Sequence, residues 1–293
     1  MLSVIITPED KSLRIDKFLC HKFDISFALA QKLIREKKVK INHQTPLINH
    51  KIHAGDNIVI LENLPNRIVT TKSKPAISLA RQHKFWENII YEDDNIIAIN
   101  KPSGLATQGG TGIDIAIDDF VKVKKYQLVH RLDKDTSGLL IIAKNNSSAE
   151  FLTNCFKNKT IQKTYIALVY GIVKKTAGTI NIPLSKQQIG KNDKVQADFE
   201  FGKSAITNYQ VIRHHHDYTE LELSPITGRT HQIRVHCKEI GHPILNDVKY
   251  GKNKVLYKNK FPRLCLHSYQ IAIEDYYGKK LIIKTPYPNF TLK

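Results

Sequence analysis

His130-Arg131-Leu132-Asp133-Lys134-Asp135-Thr136-Ser137-Gly138 leads directly into the apolar, strand-like run Leu139-Leu140-Ile141-Ile142-Ala143. A cation and a carboxylate thus stand two residues apart, just ahead of a turn. Side chains alternate along a strand, so an extended 128–133 sets Arg131 and Asp133 on one side. On these residues alone two readings stay open. One is an ordinary ion pair closing a strand end; the other is a carboxylate kept ionised while a polyanion approaches it.

The bulk composition narrows the partner. The 293 residues suffice for a large domain plus a small one, and 41% apolar residues suffice for a packed core. Apolar runs are of strand length, well below the roughly 20 residues that cross a bilayer. The opening Met1-Leu2-Ser3-Val4-Ile5-Ile6-Thr7-Pro8 has neither a charged leader nor a cleavage site, so a cytoplasmic location without membrane contact is expected. Four scattered cysteines (Cys20, Cys155, Cys237, Cys265) form no CxxC pair, which argues against zinc and against a disulfide framework. A net charge of +18 favours a polyanion, because neutralised phosphates release counterions. Nine arginines stand beside 36 lysines in a composition rich in Lys, Asn and Ile. Three of the nine, Arg131, Arg229 and Arg234, fall inside the two strongest motifs, where planar bidentate geometry is useful.

Three further blocks flank the central run. Upstream, Ile96-Ile97-Ala98-Ile99 reads as a strand ended by Asn100-Lys101-Pro102-Ser103-Gly104, followed by the glycine-rich loop Gln108-Gly109-Gly110-Thr111-Gly112. Downstream, Asn146 or Ser147 caps a helix to Phe156, and Gln162-Lys163-Thr164-Tyr165-Ile166-Ala167-Leu168-Val169-Tyr170-Gly171 reads as a strand. The last block is Ser224-Pro225-Ile226-Thr227-Gly228-Arg229-Thr230-His231-Gln232-Ile233-Arg234-Val235-His236. A helix over 230–240 closed by Gly241 turns Ile233, Cys237 and Ile240 to the core and sets His231, Arg234 and Lys238 on a neighbouring face.

The N-terminal part reads as a separate module. Ser12 to Leu19 forms a short amphipathic helix with Leu13, Phe18 and Leu19 inward, and Ser26 caps a second from Phe27 to Lys37, with Phe27, Ala30, Leu33 and Ile34 at helical spacing. Basic residues crowd the second helix's C-terminal end, where the helix dipole favours them. Val39-Lys40-Ile41-Asn42 and His53-Ala54-Gly55-Asp56 follow. Residues 63–85 read as a linker.

Taken together, these blocks resemble the RluA family of RNA pseudouridine synthases, and residues 12–62 resemble an S4 RNA-binding domain. The resemblance spans essentially the whole chain. It implies an α+β fold: a small αL-type S4 domain at 12–62, a linker at 63–85, and a catalytic domain at 86–293 built on a central, mostly antiparallel mixed sheet. It implies isomerisation of uridine to pseudouridine without cofactor or metal. By resemblance Asp133 is the nucleophile, Tyr165 holds the target base, and Arg234 pairs with the nucleophile's carboxylate. Arg131, His130, Arg229, His231 and Gln232 fall to substrate binding, Arg131 helping to hold an opened RNA site and His130 buttressing the loop. Arg14, Lys32, Arg35, Lys37, Lys38 and Lys40 fall to RNA binding by the S4 domain. The S4 module and the Gln-Gly-Gly-Thr-Gly loop look most like bacterial members that act on large-subunit (23S) ribosomal RNA, free or in an assembling subunit. Nothing calls for more than a monomer.

Other readings compete. The same chemistry on tRNA or another rRNA site shares every motif. A non-catalytic RNA-binding or ribosome-assembly protein predicts loss of Asp133, Tyr165 or Arg234, and all three are present. A hydrolytic nucleotide glycosidase wants a second carboxylate, and none recurs in the three blocks. Gly202-Lys203-Ser204 fails as a P-loop because Ala197 stands where glycine is required. His214-His215-His216 lacks partner ligands and reads as a polar loop.

Overall fold

The computed structural model describes residues 2–8, 13–62, 77–110, 112–189, 192–251, 257 and 260–291. The chain divides into two units, Met1–Pro75 and Ala76–Lys293. In the first, β1 (Leu2–Ile5), α1 (Ile15–Phe23), α2 (Phe27–Arg35), β2 (Val39–Ile41) and β3 (Asn57–Ile60) follow in order. The strands form an antiparallel sheet in the order β1-β3-β2. Phe18 and Leu19 of α1 and Ala30, Leu33 and Ile34 of α2 close a core with Val39, Ile41, Ile58 and Ile60. The Ser26 hydroxyl accepts the Leu29 N–H at 3.2 Å, the cap read from the sequence. Two expectations fail here. Leu13 is exposed because the first helix starts only at Ile15, and Phe27, the first residue of α2, lies beyond the buried stripe and is exposed too. Ser12 lies outside the described residues.

The second unit runs α3 (Leu79–Trp86), β4 (Ile89–Glu92), β5 (Ile96–Lys101), α4 (Ile117–Val123), β6 (Gln127–Leu128), β7 (Ser137–Ala143), α5 (Asn146–Lys157), β8 (Ile161–Tyr170) and β9 (Ala177–Asn181). It continues with β10 (Leu184–Ile189), β11 (Asn192–Ala197), β12 (Ile206–His214), β13 (Tyr218–Pro225), α6 (Gln232–Glu239), β14 (Leu266–Tyr276) and β15 (Lys279–Lys284). Strands β10 and β11 form a separate hairpin. The others make one sheet in the order β4-β5-β7-β14-β8-β13-β12-β9, with β6 and β15 pairing off this path. Only β7 and β14 pair in parallel among the described strands, so the sheet is mostly antiparallel and the fold is α+β. Alternate residues of β7 feed opposite faces: Leu139 and Ile141 join one cluster, Leu140 and Ile142 another. All seven β7 residues are buried, which makes it a scaffold strand.

Gly138 shows why the TSG turn is spelled as it is. Its φ is +107°, and a Cβ there would stand 2.2 Å from the Ser268 carbonyl oxygen on β14. Only glycine fits this close parallel approach. The linker reading is corrected at its end: residues 79–86 form α3, capped by Ser78, and its Phe85 stacks on Phe120 at 4.2 Å. Residues 63–76 lie outside the described residues. Helix α5 is capped one residue ahead of expectation, by Asn145, whose side chain accepts the Ser148 N–H. Among the described residues no helix is long and apolar enough to cross a membrane.

Candidate active site

Residues 129–136 form an irregular loop between β6 and β7, and its backbone is pinned from two sides. On one side, His130 Nε2 accepts the Ile141 N–H at 2.8 Å while its ring stacks on Phe156 at 4.6 Å. Burial drives the His130 pKa down to about 3, so the ring is neutral and acts as an acceptor. On the other side the 101–107 segment reaches in. The Thr107 hydroxyl donates to the Leu132 carbonyl at 2.7 Å and the Ser103 hydroxyl to that of Asp135 at 2.6 Å. Lys101, fully buried, donates to the carbonyls of Pro102, Leu105 and Lys134 at 2.9, 2.8 and 3.0 Å. Its burial lowers its pKa to about 7 against the raising effect of Asp135 and Asp133. The Asn-Lys-Pro-Ser-Gly block therefore sets the height of Asp133.

The loop presents Asp133 to a cavity of about 430 Å³ lined by the loop, by β8 and by residues 225–234. That volume suits a small ligand or a single extruded nucleotide. Among the described lining residues Asp133 is the only acid, facing Arg131, Lys157, Lys159, Lys163, Arg229 and Arg234. Lys163 is half-buried and forms no ion pair among the described residues; burial lowers its pKa. The excess of cations around one carboxylate suits a ligand that carries phosphates.

Tyr165 on β8 borders this cavity and packs against two core clusters. Burial pushes its phenol up to about 12, Asp133 adds to the rise, and Ser268, opposite it on β14, works the other way. The phenol is therefore protonated at neutral pH. Arg234 on α6 is 4% exposed. One guanidinium nitrogen stands 3.6 Å from Asp133 Oδ2. Its nearer partner is Asp247, met in a two-pronged pair at 2.8 Å on each prong. Burial opposes the charge, but Asp247 and Asp133 raise the Arg234 pKa above its ordinary value. His231, at φ +54° just before α6, places Nε2 3.8 Å from Asp133 Oδ1 and Nδ1 2.6 Å from the Tyr250 hydroxyl.

The structure thus brings Asp133, Tyr165, Arg234, His231, Arg131 and Arg229 to one cavity, and it corrects the sequence reading in three places. Arg131 is exposed and forms no ion pair with Asp133 among the described residues, because 129–133 is not an extended strand. Gln232 is buried and occupied at both ends. Its oxygen accepts from Thr227 and the Arg229 N–H, and its nitrogen donates to the Ile206 carbonyl and Thr207. It folds the loop and has no free valence for a substrate. His130 buttresses the loop through the Ile141 N–H. Helix α6 is also shorter than expected, Gln232–Glu239.

In the first unit, Arg14 forks onto buried Asp16, Lys38 bridges Glu36 and Glu62 at 2.9 and 2.7 Å, and Lys32 lies 3.8 Å from Glu36. Lys40 donates to Thr45 at 2.9 Å and the Arg35 Nε–H to the Gln31 carbonyl at 3.2 Å, while Lys37 is exposed without an ion pair among the described residues. Sequence reasoning missed Asp247, Tyr250, Lys101 and Thr107. The first two follow Gly241, which closes the predicted helix, but nothing in their spacing links them to a residue on α6.

Residues 95–239 match the family model described as RNA pseudouridylate synthase, and residues 13–58 match the S4 domain model. A Rickettsia conorii protein named ribosomal large subunit pseudouridine synthase C is 39% identical, the alignment covering 94% of this chain and 95% of that one. The chain belongs to the RNA pseudouridylate synthase family. A Buchnera aphidicola (from Acyrthosiphon pisum) relative of the same name is 35% identical, over 97% of this chain and 93% of its own. Among solved structures, human RNA pseudouridylate synthase domain containing 1 superposes with a TM-score of 0.60 at 27% identity, covering 69% of this chain and 83% of that one. Human RNA pseudouridylate synthase domain containing 4 gives 0.60 at 25%, covering 72% and 92%. The protein is an RNA pseudouridine synthase with an S4 domain, in keeping with the motif at residues 130–138.

Proposed function

We propose that the protein isomerises uridine to pseudouridine in large-subunit ribosomal RNA in the cytoplasm, acting as a monomer with Asp133 as the reacting carboxylate. The observation that carries this reading is a nucleotide-sized cavity in which, among the described lining residues, Asp133 is the one carboxylate beside six lysines and arginines. The names of the relatives support the choice of RNA. The domain organisation is a 12–62 RNA-binding module and a catalytic domain beginning near α3.

The reaction breaks the C1′–N1 bond, turns the uracil, and joins C5 to C1′; the C5 hydrogen leaves as a proton and N1 gains one. The target base must first leave its stack, at a cost of a few kcal/mol. Exposed Arg131 at the rim is placed to fill or hold the opened site, and Lys157, Lys159, Lys163 and Arg229 to meet backbone phosphates. Asp133 then acts on the ribose, at C1′ as nucleophile or at C2′ as base. Arg234 supports its negative charge from 3.6 Å. Tyr165 offers a ring face to the detached uracil and, being protonated, a hydroxyl that can donate.

Tritium release from [5-³H]uridine in unmodified large-subunit rRNA tests the substrate, since joining through C5 expels that hydrogen. Release from this RNA and none from bulk tRNA supports the reading. Release from tRNA alone keeps the chemistry and overturns the substrate.

A further inference from the structure

The segment 244–251, which follows α6, reaches the Asp133 cavity twice without lining it. Asp247 is buried and takes Arg234 in its two-pronged pair. Its Oδ1 also accepts the N–H groups of Lys249 and Tyr250, both at 3.0 Å, so the same carboxylate folds the turn that carries Tyr250. Tyr250, 4% exposed, lays its ring 5.2 Å from the Arg234 guanidinium and brings its hydroxyl 2.6 Å from His231 Nδ1. The Val195 N–H donates to that hydroxyl oxygen at 3.3 Å. Among the described residues the hydroxyl's own hydrogen has one acceptor within reach, His231 Nδ1, and is given there. The imidazole is thereby left with its hydrogen on Nε2, facing Asp133.

We infer that Asp247 and Tyr250 are positioning residues that hold Arg234 and His231 within attraction of Asp133 but outside hydrogen-bond distance. This rests on Asp133 being the reacting carboxylate. The separations of 3.6 and 3.8 Å exceed the roughly 3.2 Å limit of an N–H···O bond. Each oxygen of Asp133 therefore feels one positively polarised group, Arg234 at Oδ2 and His231 at Oδ1, and neither oxygen is bound by it. A carboxylate forked by arginine spends its lone pairs on the guanidinium. Asp247 accepts that fork instead, which leaves Asp133 supported and free to reach ribose.

The test measures label release from large-subunit rRNA across pH for the wild-type chain, Tyr250→Phe and Asp247→Asn, with rRNA affinity and thermal midpoint in parallel. The titratable and charged groups facing His231 are Asp133 from the loop before β7, Arg234 on α6, and Asp247, Lys249 and Tyr250 on the 244–251 segment. Tyr250→Phe keeps the ring and frees Nδ1 to take a proton. Its kcat should fall at least tenfold with KM within twofold, and the acid limb of kcat should move to higher pH. Asp247→Asn keeps an oxygen for the turn but releases Arg234 onto Asp133, so kcat should fall about a hundredfold at unchanged RNA affinity. If Asp247→Asn fails to fold, Tyr250→Phe decides alone. Wild-type kcat and pH profile in Tyr250→Phe overturn the inference, as does a lower kcat accompanied by an equal loss of affinity and no shift of the acid limb. A wild-type chain that releases no label overturns the functional reading and this inference with it.

Discussion

Gly138→Ala is the sharpest perturbation the fold offers. The residue sits at φ +107°, and an added Cβ would meet Ser268 O, N and C at 2.2, 2.6 and 2.8 Å. All three are backbone atoms, so no rotamer change relieves the clash. A side chain at such a φ costs about 1–3 kcal/mol, and overpacking a filled site adds about 1–3 more. The sum is about 4 kcal/mol. For a unit of this size each kcal/mol lowers Tm by roughly 2–4 °C, so scanning calorimetry of the full chain should show a fall of about 8–16 °C. Because Ser268 lies opposite Tyr165, label release should fall as well. A midpoint within 2 °C of wild type would refute the parallel β7–β14 register.

Three further outcomes follow from the geometry. Burial holds His130 at about 3 and His267 at about 4, against 6.5 for an exposed ring. Between those values the unfolded chain binds more protons, so stability is full above pH 6.5 and drains as pH falls toward 3. Urea unfolding at pH 7 and pH 4.5 should differ by several kcal/mol, and equal values would show these rings to be hydrated. Lys163→Met removes from the cavity wall a cation that has no ion pair among the described residues; the KM for rRNA should rise about tenfold and the salt slope of binding should drop by about 0.7–0.9, one phosphate contact. An unchanged slope would take Lys163 off the phosphate path. The triple change Arg35→Ala, Lys37→Ala, Lys40→Ala should reduce the salt slope by about 2 and leave kcat alone; an unaltered slope would show that this face of the S4 domain does not meet RNA.

The parts that were legible in the sequence are those in which local chemistry acts locally. The serine cap of α2 and the apolar β7 run are each specified by neighbours in the chain, and the ordered motif blocks identified the family. The parts that were not legible depend on chain segments meeting. Arg131 reads as the partner of Asp133 only if 129–133 is extended. The pinning of that loop by Lys101, Ser103 and Thr107 makes it irregular and hands Asp133 to Arg234 and His231 instead. Gln232 reads as a binding residue because an amide in a polar motif can face either way; strand β12 claims it. Asp247 and Tyr250 carry no signal of their own, since nothing in their spacing points to α6. Helix α3 was hidden in a basic, linker-like segment, and only Phe85 marks its buried side.

The most direct measurement compares the wild-type chain with Asp133→Asn on [5-³H]uridine-labelled large-subunit rRNA, under single-turnover conditions and at matched bound fraction. The account predicts full RNA binding and no label release by the variant. Release at a rate near that of the wild type would contradict Asp133 as the reacting carboxylate.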